Sequence, residues 1–267
     1  MYVQLVSTNV PVVPLQLARY DSEPLQRSPL VLVAAQINFE EIGTGVSHAQ
    51  AREIQKALDA SWTSLQPAPQ MRVTLTATGP VSETSRSAYR LQSSVGAWSL
   101  VISPDSVTLE TQNYPGWGKM APQIESVADA VAKVFDPSQC LRLGLRYIDK
   151  IPLPDGHDNW DGLIPAAIRS LLSDPTFGGS VLGSDQRHML QLEEGALCMF
   201  HHGLQADDQG RASGIYLLDY DVFDQSPRAF AVGDIMAATT VLHQHTGALF
   251  RASLDDTLYE WLKGDEK

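Results

Sequence analysis

Apolar and polar side chains alternate most strictly in two stretches of this 267-residue chain. In LRLGLRYIDKI, over 141–151, a period of two puts Arg142, Gly144, Arg146, Ile148 and Lys150 on one strand face. Leu141, Leu143, Leu145, Tyr147 and Asp149 fall on the other. In IYLLDYDVF, over 215–223, Ile215, Leu217, Asp219, Asp221 and Phe223 oppose Tyr216, Leu218, Tyr220 and Val222. Both patterns predict strands, the first carrying three cations on one face and the second two carboxylates.

The rest of the chain yields further elements. LVLVAAQINF (30–39) predicts a buried strand. A helix is expected from 48 to about 62, N-capped by Ser47, because Ala51, Ile54, Ala57, Leu58 and Trp62 recur at helical spacing. After it come a strand over 71–77, a polar loop over 79–87 and three hairpin strands, AYRLQSS, AWSLVIS and SVTLETQ. NYPGWGKMAP breaks the sheet, and QIESVADAVAKVF predicts a helix with Ile124, Val127, Ala128, Val131 and Val134 on one stripe. The second half runs in a similar order. The 141–151 strand is followed by a helix over 160–172, broken near Pro165, and by a Gly-rich connection. Strands at RHMLQLE, ALCMFHHGLQ and SGIYLLDYDVF precede a long helix with Ile235, Ala238, Thr239, Leu242 and Thr246 facing inward. A short helix in SLDDTLYEWLK closes the chain.

Runs of strands enclosed by helices argue for an α+β fold. The expected architecture is two successive β-α-β(3–4)-α units. Their antiparallel sheets join edge to edge with the long helices packed on one face, a TATA-binding-protein-like or helix-grip-like pseudo-duplication by analogy. Residues 1–29, punctuated by proline, form an extended N-terminal arm suited to pairing with a neighbour's sheet edge. The first unit spans 30–140 and the second 141–267, together one domain with the 141–151 strand near its centre.

Composition narrows the class. A hydrophobic content of 43% with 19% charged residues suits a globular chain and not a disordered one. No apolar run approaches the ~18 residues that a membrane span needs, and no basic stretch precedes the first apolar residues, so neither a membrane anchor nor a signal peptide is expected. Two distant cysteines, Cys140 and Cys198, predict buried thiols in a reduced, cytoplasmic protein. The net charge of −12 is unevenly spread, with 9 basic and 12 acidic residues over 1–140 but 10 and 19 over 141–267. Such a surface repels phosphate, which disfavours nonspecific nucleic-acid binding; it permits steering toward a basic partner, but solubility alone accounts for the same charge.

Several segments, taken in order, resemble a family of sporadically distributed bacterial proteins of about this length and uncharacterised activity. Its central pattern, R-x-G-L-R-Y-x-N-x-I, falls on Arg142, Gly144, Leu145, Arg146, Tyr147 and Ile151, with Asp149 where asparagine is usual. Its last segment falls on Leu242, His243, Phe250, Asp256 and Leu258, with Asp255 in place of threonine. YRLQSSVGAWSLVISPDSVTLETQNYPGW resembles its first-half hairpin. The resemblance implies no catalytic residues. It implies a non-enzymatic interaction or scaffold subunit of a bacterial multi-protein system, with a protein partner encoded nearby. Antiphage defence and toxin–antitoxin systems are the settings that a sporadic distribution points to.

Candidate chemistry centres on the charged strands. Arg142 or Arg146 is expected to pair with Asp219 or Asp221, since an uncompensated buried charge costs several kcal/mol. The alternative is that the face of Arg142, Arg146 and Lys150 is open and binds a small anionic ligand or an acidic segment. Asp219 and Asp221 also share a face as two ligands of a metal-dependent hydrolase or nuclease would. No third ligand is marked, so neither a metal nor a cofactor is assigned. His243 and His245 point apart on a helix, as do His201 and His202 on a strand, so neither pair chelates. Tyr147, Asp149 and His243 are secondary candidates, and Tyr89, Trp98, Tyr114 and Trp117 are aromatics that could line a groove. No H-E-x-x-H, G-x-S-x-G, P-loop or dinucleotide fingerprint occurs.

Overall fold

In the computed structural model the described residues are 11–18, 20, 23–68, 70–76 and 79–264. Of the arm expected over 1–29, residues 1–10, 19, 21 and 22 lie outside them, as does residue 77 of the strand expected over 71–77. The elements run β1 (Leu30–Phe39), α1 (His48–Ala57), β2 (Trp62–Pro67), β3 (Gln70–Thr76), β4 (Gly79–Arg86), β5 (Tyr89–Ser93), β6 (Trp98–Ser103) and β7 (Ser106–Thr111). Then come α2 (Trp117–Phe135), β8 (Gln139–Pro152), α3 (Ala166–Arg169), β9 (Gln186–Gln191), β10 (Leu197–Ala206) and β11 (Ala212–Asp224). The chain closes with β12 (Arg228–Ala229), α4 (Val232–Ala252) and α5 (Asp256–Lys263).

The chain is α+β. Ten strands form one antiparallel sheet in the order β2-β5-β6-β7-β1-β8-β11-β10-β9, with the short β12 pairing to the start of β8. β3 and β4 make a separate two-stranded ribbon. β8 is the longest strand, at 14 residues, and lies at the centre between β1 and β11, as its pattern predicts. Its register places Val33 and Tyr220 opposite Tyr147, and Ala35 and Val222 opposite Leu145. One face of the sheet is therefore apolar across strands from both halves, and it supplies much of the core with Ile37, Leu100, Leu109, Leu143 and Phe200. α4 lies across β8 and β11, α2 packs against α4, and α1 against α2. Burying that face is the main stabilisation of both layers.

Several expected boundaries differ. The α1 helix starts as predicted, with Ser47 and Gln50 forming a capping box. It ends at Ala57, and Trp62 opens β2, because Leu58 leaves the helical conformation and Trp62–Pro67 finds a partner in β5. Residues 79–86, expected as polar loop, are strand β4, whose backbone groups pair with β3 despite a polar sequence. α2 begins at Trp117, earlier than expected, and carries Pro122 inside it. The helix expected over 160–172 shrinks to α3 and one following 3-10 turn, because Pro165 stands at its N-cap and Ser170 takes a positive φ at its end. Cys140 and Cys198 are buried free thiols, in line with their expected state. No helix among the described residues is long and apolar enough to cross a membrane.

The described part of the arm contacts its own chain. Leu15 bridges to Leu192, and its N–H donates to the Gln191 carbonyl at 2.8 Å. Arg27 donates from Nη1 to the Trp261 carbonyl at 2.6 Å and lies over the Trp261 ring. The Tyr20 hydroxyl meets that of Tyr259 at 3.0 Å, and Tyr20 packs on α4 at Gly247, where an added Cβ would come within 3.1 Å of its ring. The described part of the arm is thus strapped across α4 and α5 of its own chain.

Candidate functional site

The two faces of β8 have different fates. Arg142, Arg146 and Lys150 point away from the helices. Arg146 makes two hydrogen bonds to Asp219, from Nε at 2.8 Å and Nη2 at 2.7 Å. Arg142 reaches Asp221 with Nη2, 3.1 and 3.0 Å from its two oxygens, and donates to Gln36 from Nη1 at 2.9 Å. Gly144 permits this, because a Cβ there would lie 2.5 Å from Arg142 Nη1 and displace the guanidinium that folds over it. Arg142 also covers the Phe223 ring at 4.6 Å. His201 joins the network, with Nδ1 3.5 Å from Asp219 and Nε2 3.0 Å from Asp185. The expected pairing of arginines with aspartates is present. Lys150 is exposed and has no ion-pair partner among the described residues.

This network occupies the groups that a metal or anion site would use. Asp219 and Asp221 are each engaged by a guanidinium. Among the described residues no cluster of three or more His, Cys, Asp or Glu side chains is arranged to hold a metal ion.

The opposite face of β8 contributes to a cavity of about 470 Å³ between the sheet, α4, the start of α2 and the arm. Tyr147 and Asp149 rise from β8, and Tyr220 comes from β11. Tyr114 and Trp117 come from the turn into α2, His243, Thr246, Gly247 and Phe250 from α4, and Tyr20, Glu23 and Leu25 from the arm. All three secondary candidates therefore meet in one place, with two of the four groove aromatics. The other two lie elsewhere: Trp98 is in the core and Tyr89 packs near His48.

A chain of contacts fixes one wall. The Tyr114 and Tyr147 hydroxyls lie 3.4 Å apart, and the Tyr147 hydroxyl is 3.1 Å from His243 Nδ1. The His243 ring stacks on Trp117, with centroids 4.1 Å apart and planes 9° from parallel. Burial lowers the His243 pKa to about 4, so the ring is neutral at pH 7. Burial likewise raises the Tyr147 and Tyr114 phenols, which stay protonated.

Asp149 is the exception among these groups. It is only 4% exposed, yet its carboxylate makes no hydrogen bond or ion pair with any described residue. Burial first, and the charge of Asp219 second, push its pKa up to about 8. The buried Tyr220 hydroxyl in the same cavity also lacks a hydrogen bond. Ser253 lies close enough to influence it, but the pair does not reach bonding geometry. Buried polar groups are normally satisfied, so two unsatisfied ones facing one cavity mark it as unusual. Among the described residues the lining contains two acids, Asp149 and Glu23, and no Lys or Arg.

No family model matches the chain, and no curated protein is similar to it.

Asp149 is marked in the sequence as a single carboxylate on an otherwise apolar strand face. Tyr20, Tyr220 and Phe250 were not distinguishable. Their joining depends on the arm folding back and on α4 crossing β8, which local pattern does not encode.

Proposed function

We propose that this protein is a non-enzymatic binding protein that takes a small molecule in the cavity between the sheet and α2 and α4. The observation that carries this reading is a pre-formed, mostly apolar cavity of about 470 Å³, rich in aromatic rings, with a few convergent polar groups. Ligand sites usually have that size and composition. The strand order supports a finer reading of the fold. β1-β7-β6-β5 and β8-β11-β10-β9 follow the same succession outward from the centre, with α2 and α4 in matching places. We read these as two related units, and the cavity then sits over their seam.

A scaffold role through the sheet's other face has less support, because Arg142 and Arg146 are engaged within the chain. The same pairing weakens a hydrolytic role for Asp219 and Asp221.

The test uses N-phenyl-1-naphthylamine, an uncharged probe at neutral pH that fluoresces in apolar sites. It is expected to bind the wild type in a saturable way. Thr246→Phe, which adds bulk inside the cavity, is expected to abolish that signal with the fold intact by circular dichroism. Equal signals from both proteins would contradict the proposal.

A further inference from the structure

The cavity is selective in its chemistry, and its lining says for what. Three observations converge. First, a carboxylate is buried there with no partner among the described residues. Leaving an ionised carboxylate in such a place costs several kcal/mol unless a proton or a cation joins it. Second, Tyr20, Tyr114, Trp117, Tyr147, Tyr220 and Phe250 surround the space. Aromatic faces attract cations, more strongly where water is excluded. Third, the described lining residues include no Lys or Arg, and Glu23 adds a second acid, exposed and paired at 3.3 Å with Lys263 outside the lining.

One feature favours the opposite charge. Gly116 and Trp117 bring the first turn of α2 to the cavity with no side-chain cap. A helix N-terminus carries roughly half a positive charge, and its effect fades within one turn. The full charge that Asp149 takes on when a cation joins it outweighs that half charge.

We propose that the cavity binds a small organic amine as its ammonium ion, with Asp149 accepting its N–H hydrogen bonds and the aromatic rings holding its apolar body. This rests on the reading of the cavity as a ligand site and adds its chemical class. Asp149 is a binding residue here and performs no chemistry. Neutral His243 keeps competing positive charge out of the cavity near pH 7.

A proton balance follows. Near pH 7 the empty site holds Asp149 largely protonated. An alkylammonium ion entering it forms an ion pair and expels that proton to solvent. A neutral alcohol leaves the proton in place. The ionisable or charged groups facing Asp149 are Tyr147 on its own strand, Tyr220 on β11, Tyr114 before α2, His243 on α4, and Glu23 on the arm, and the charge of Asp219 acts on it from the other side of the sheet. His243 and the phenols keep their neutral forms across pH 6–8. Asp149 is thus the group positioned to release the proton.

The experiment is calorimetric titration of the whole chain with benzylamine, benzyl alcohol and benzoate, which share shape and differ in charge. The wild type should bind benzylamine about 10- to 100-fold more tightly than benzyl alcohol, the range expected of a charge-assisted hydrogen bond. Benzoate should bind weakest. Repeating the benzylamine titration in buffers of different ionisation enthalpy should show nearly one proton released at pH 7, and none with benzyl alcohol. Asp149→Asn should reduce the amine preference to near unity. Equal wild-type affinity for amine and alcohol, tighter benzoate, or a preference that survives Asp149→Asn would overturn the proposal. The wild-type comparison decides even if the variant does not fold. If the naphthylamine probe binds while the three ligands are not discriminated, the cavity reading stands and the amine assignment fails. If the probe and all three ligands fail to bind, both fall.

Discussion

At the residue scale the molecule contrasts two ways of keeping charge in a sheet. Asp219 is buried and satisfied by Arg146, whereas Asp149 is buried and carries its own proton instead. The consequence for stability has a definite sign. The folded-state pKa of Asp149 is raised from 3.8 to about 8. Folding therefore favours the protonated form, and the stability this lends is complete below pH 4 and lost as pH rises through 8. Asp149→Asn mimics the neutral acid. It is expected to match the wild type in thermal stability near pH 4 and to exceed it by several kcal/mol near pH 9. Parallel melting curves across that range would rule out the buried, unpartnered carboxylate. His243 acts in the other direction, since its depressed pKa makes stability fall as pH drops from 6.5 toward 4. The Arg146–Asp219 pair is checked by a double-mutant cycle in urea. With Arg146 half exposed, solvent screening limits the coupling to about 1 kcal/mol. A coupling indistinguishable from zero would remove the pair from the account.

At the element scale the arm decides whether the cavity is closed on one side. It is held by contacts that residue pattern alone does not reveal: Arg27 to the last turn of α5, Tyr20 to Tyr259, and Leu15 beside β9. Arg27→Ala removes a charged donor and a ring contact, together worth roughly 1–3 kcal/mol. Amide hydrogen exchange over residues 23–29 should speed up in that variant while β1 and β8 stay protected. Unchanged exchange would mean that the arm is anchored elsewhere. The strands around the centre were legible because alternation reports burial on one face, and β1, β8 and β10 alternate in burial along much of their length. The misread elements are ones where pairing or packing overrode composition. The β4 sequence is polar yet finds a ladder with β3, and Trp62 fits the α1 stripe but is taken by β5. The helix expected over 160–172, with a break near Pro165, is cut to one turn between Pro165 at its N-cap and the positive φ of Ser170 at its end.

At the scale of the whole molecule, the cavity exists because strands from both halves share one buried face. β8 supplies Tyr147 and Asp149, β11 supplies Tyr220, and α2 and α4 meet above them. Sequence reasoning found Tyr147, Asp149 and His243 as separate oddities, and their common location required the tertiary arrangement. The molecule's acidity is consistent with a cationic guest, since a net charge of −12 draws cations toward its surface. The central claim is that a small amine occupies this cavity with its nitrogen on Asp149. A crystal structure of the protein soaked with 4-bromobenzylamine tests it most directly, because bromine gives an anomalous signal that locates the ligand. A bromine peak is expected among the cavity's aromatic rings, with the ammonium nitrogen about 3 Å from an Asp149 oxygen. A cavity without ligand at saturating amine, or an amine bound with its nitrogen turned away from Asp149, would contradict it.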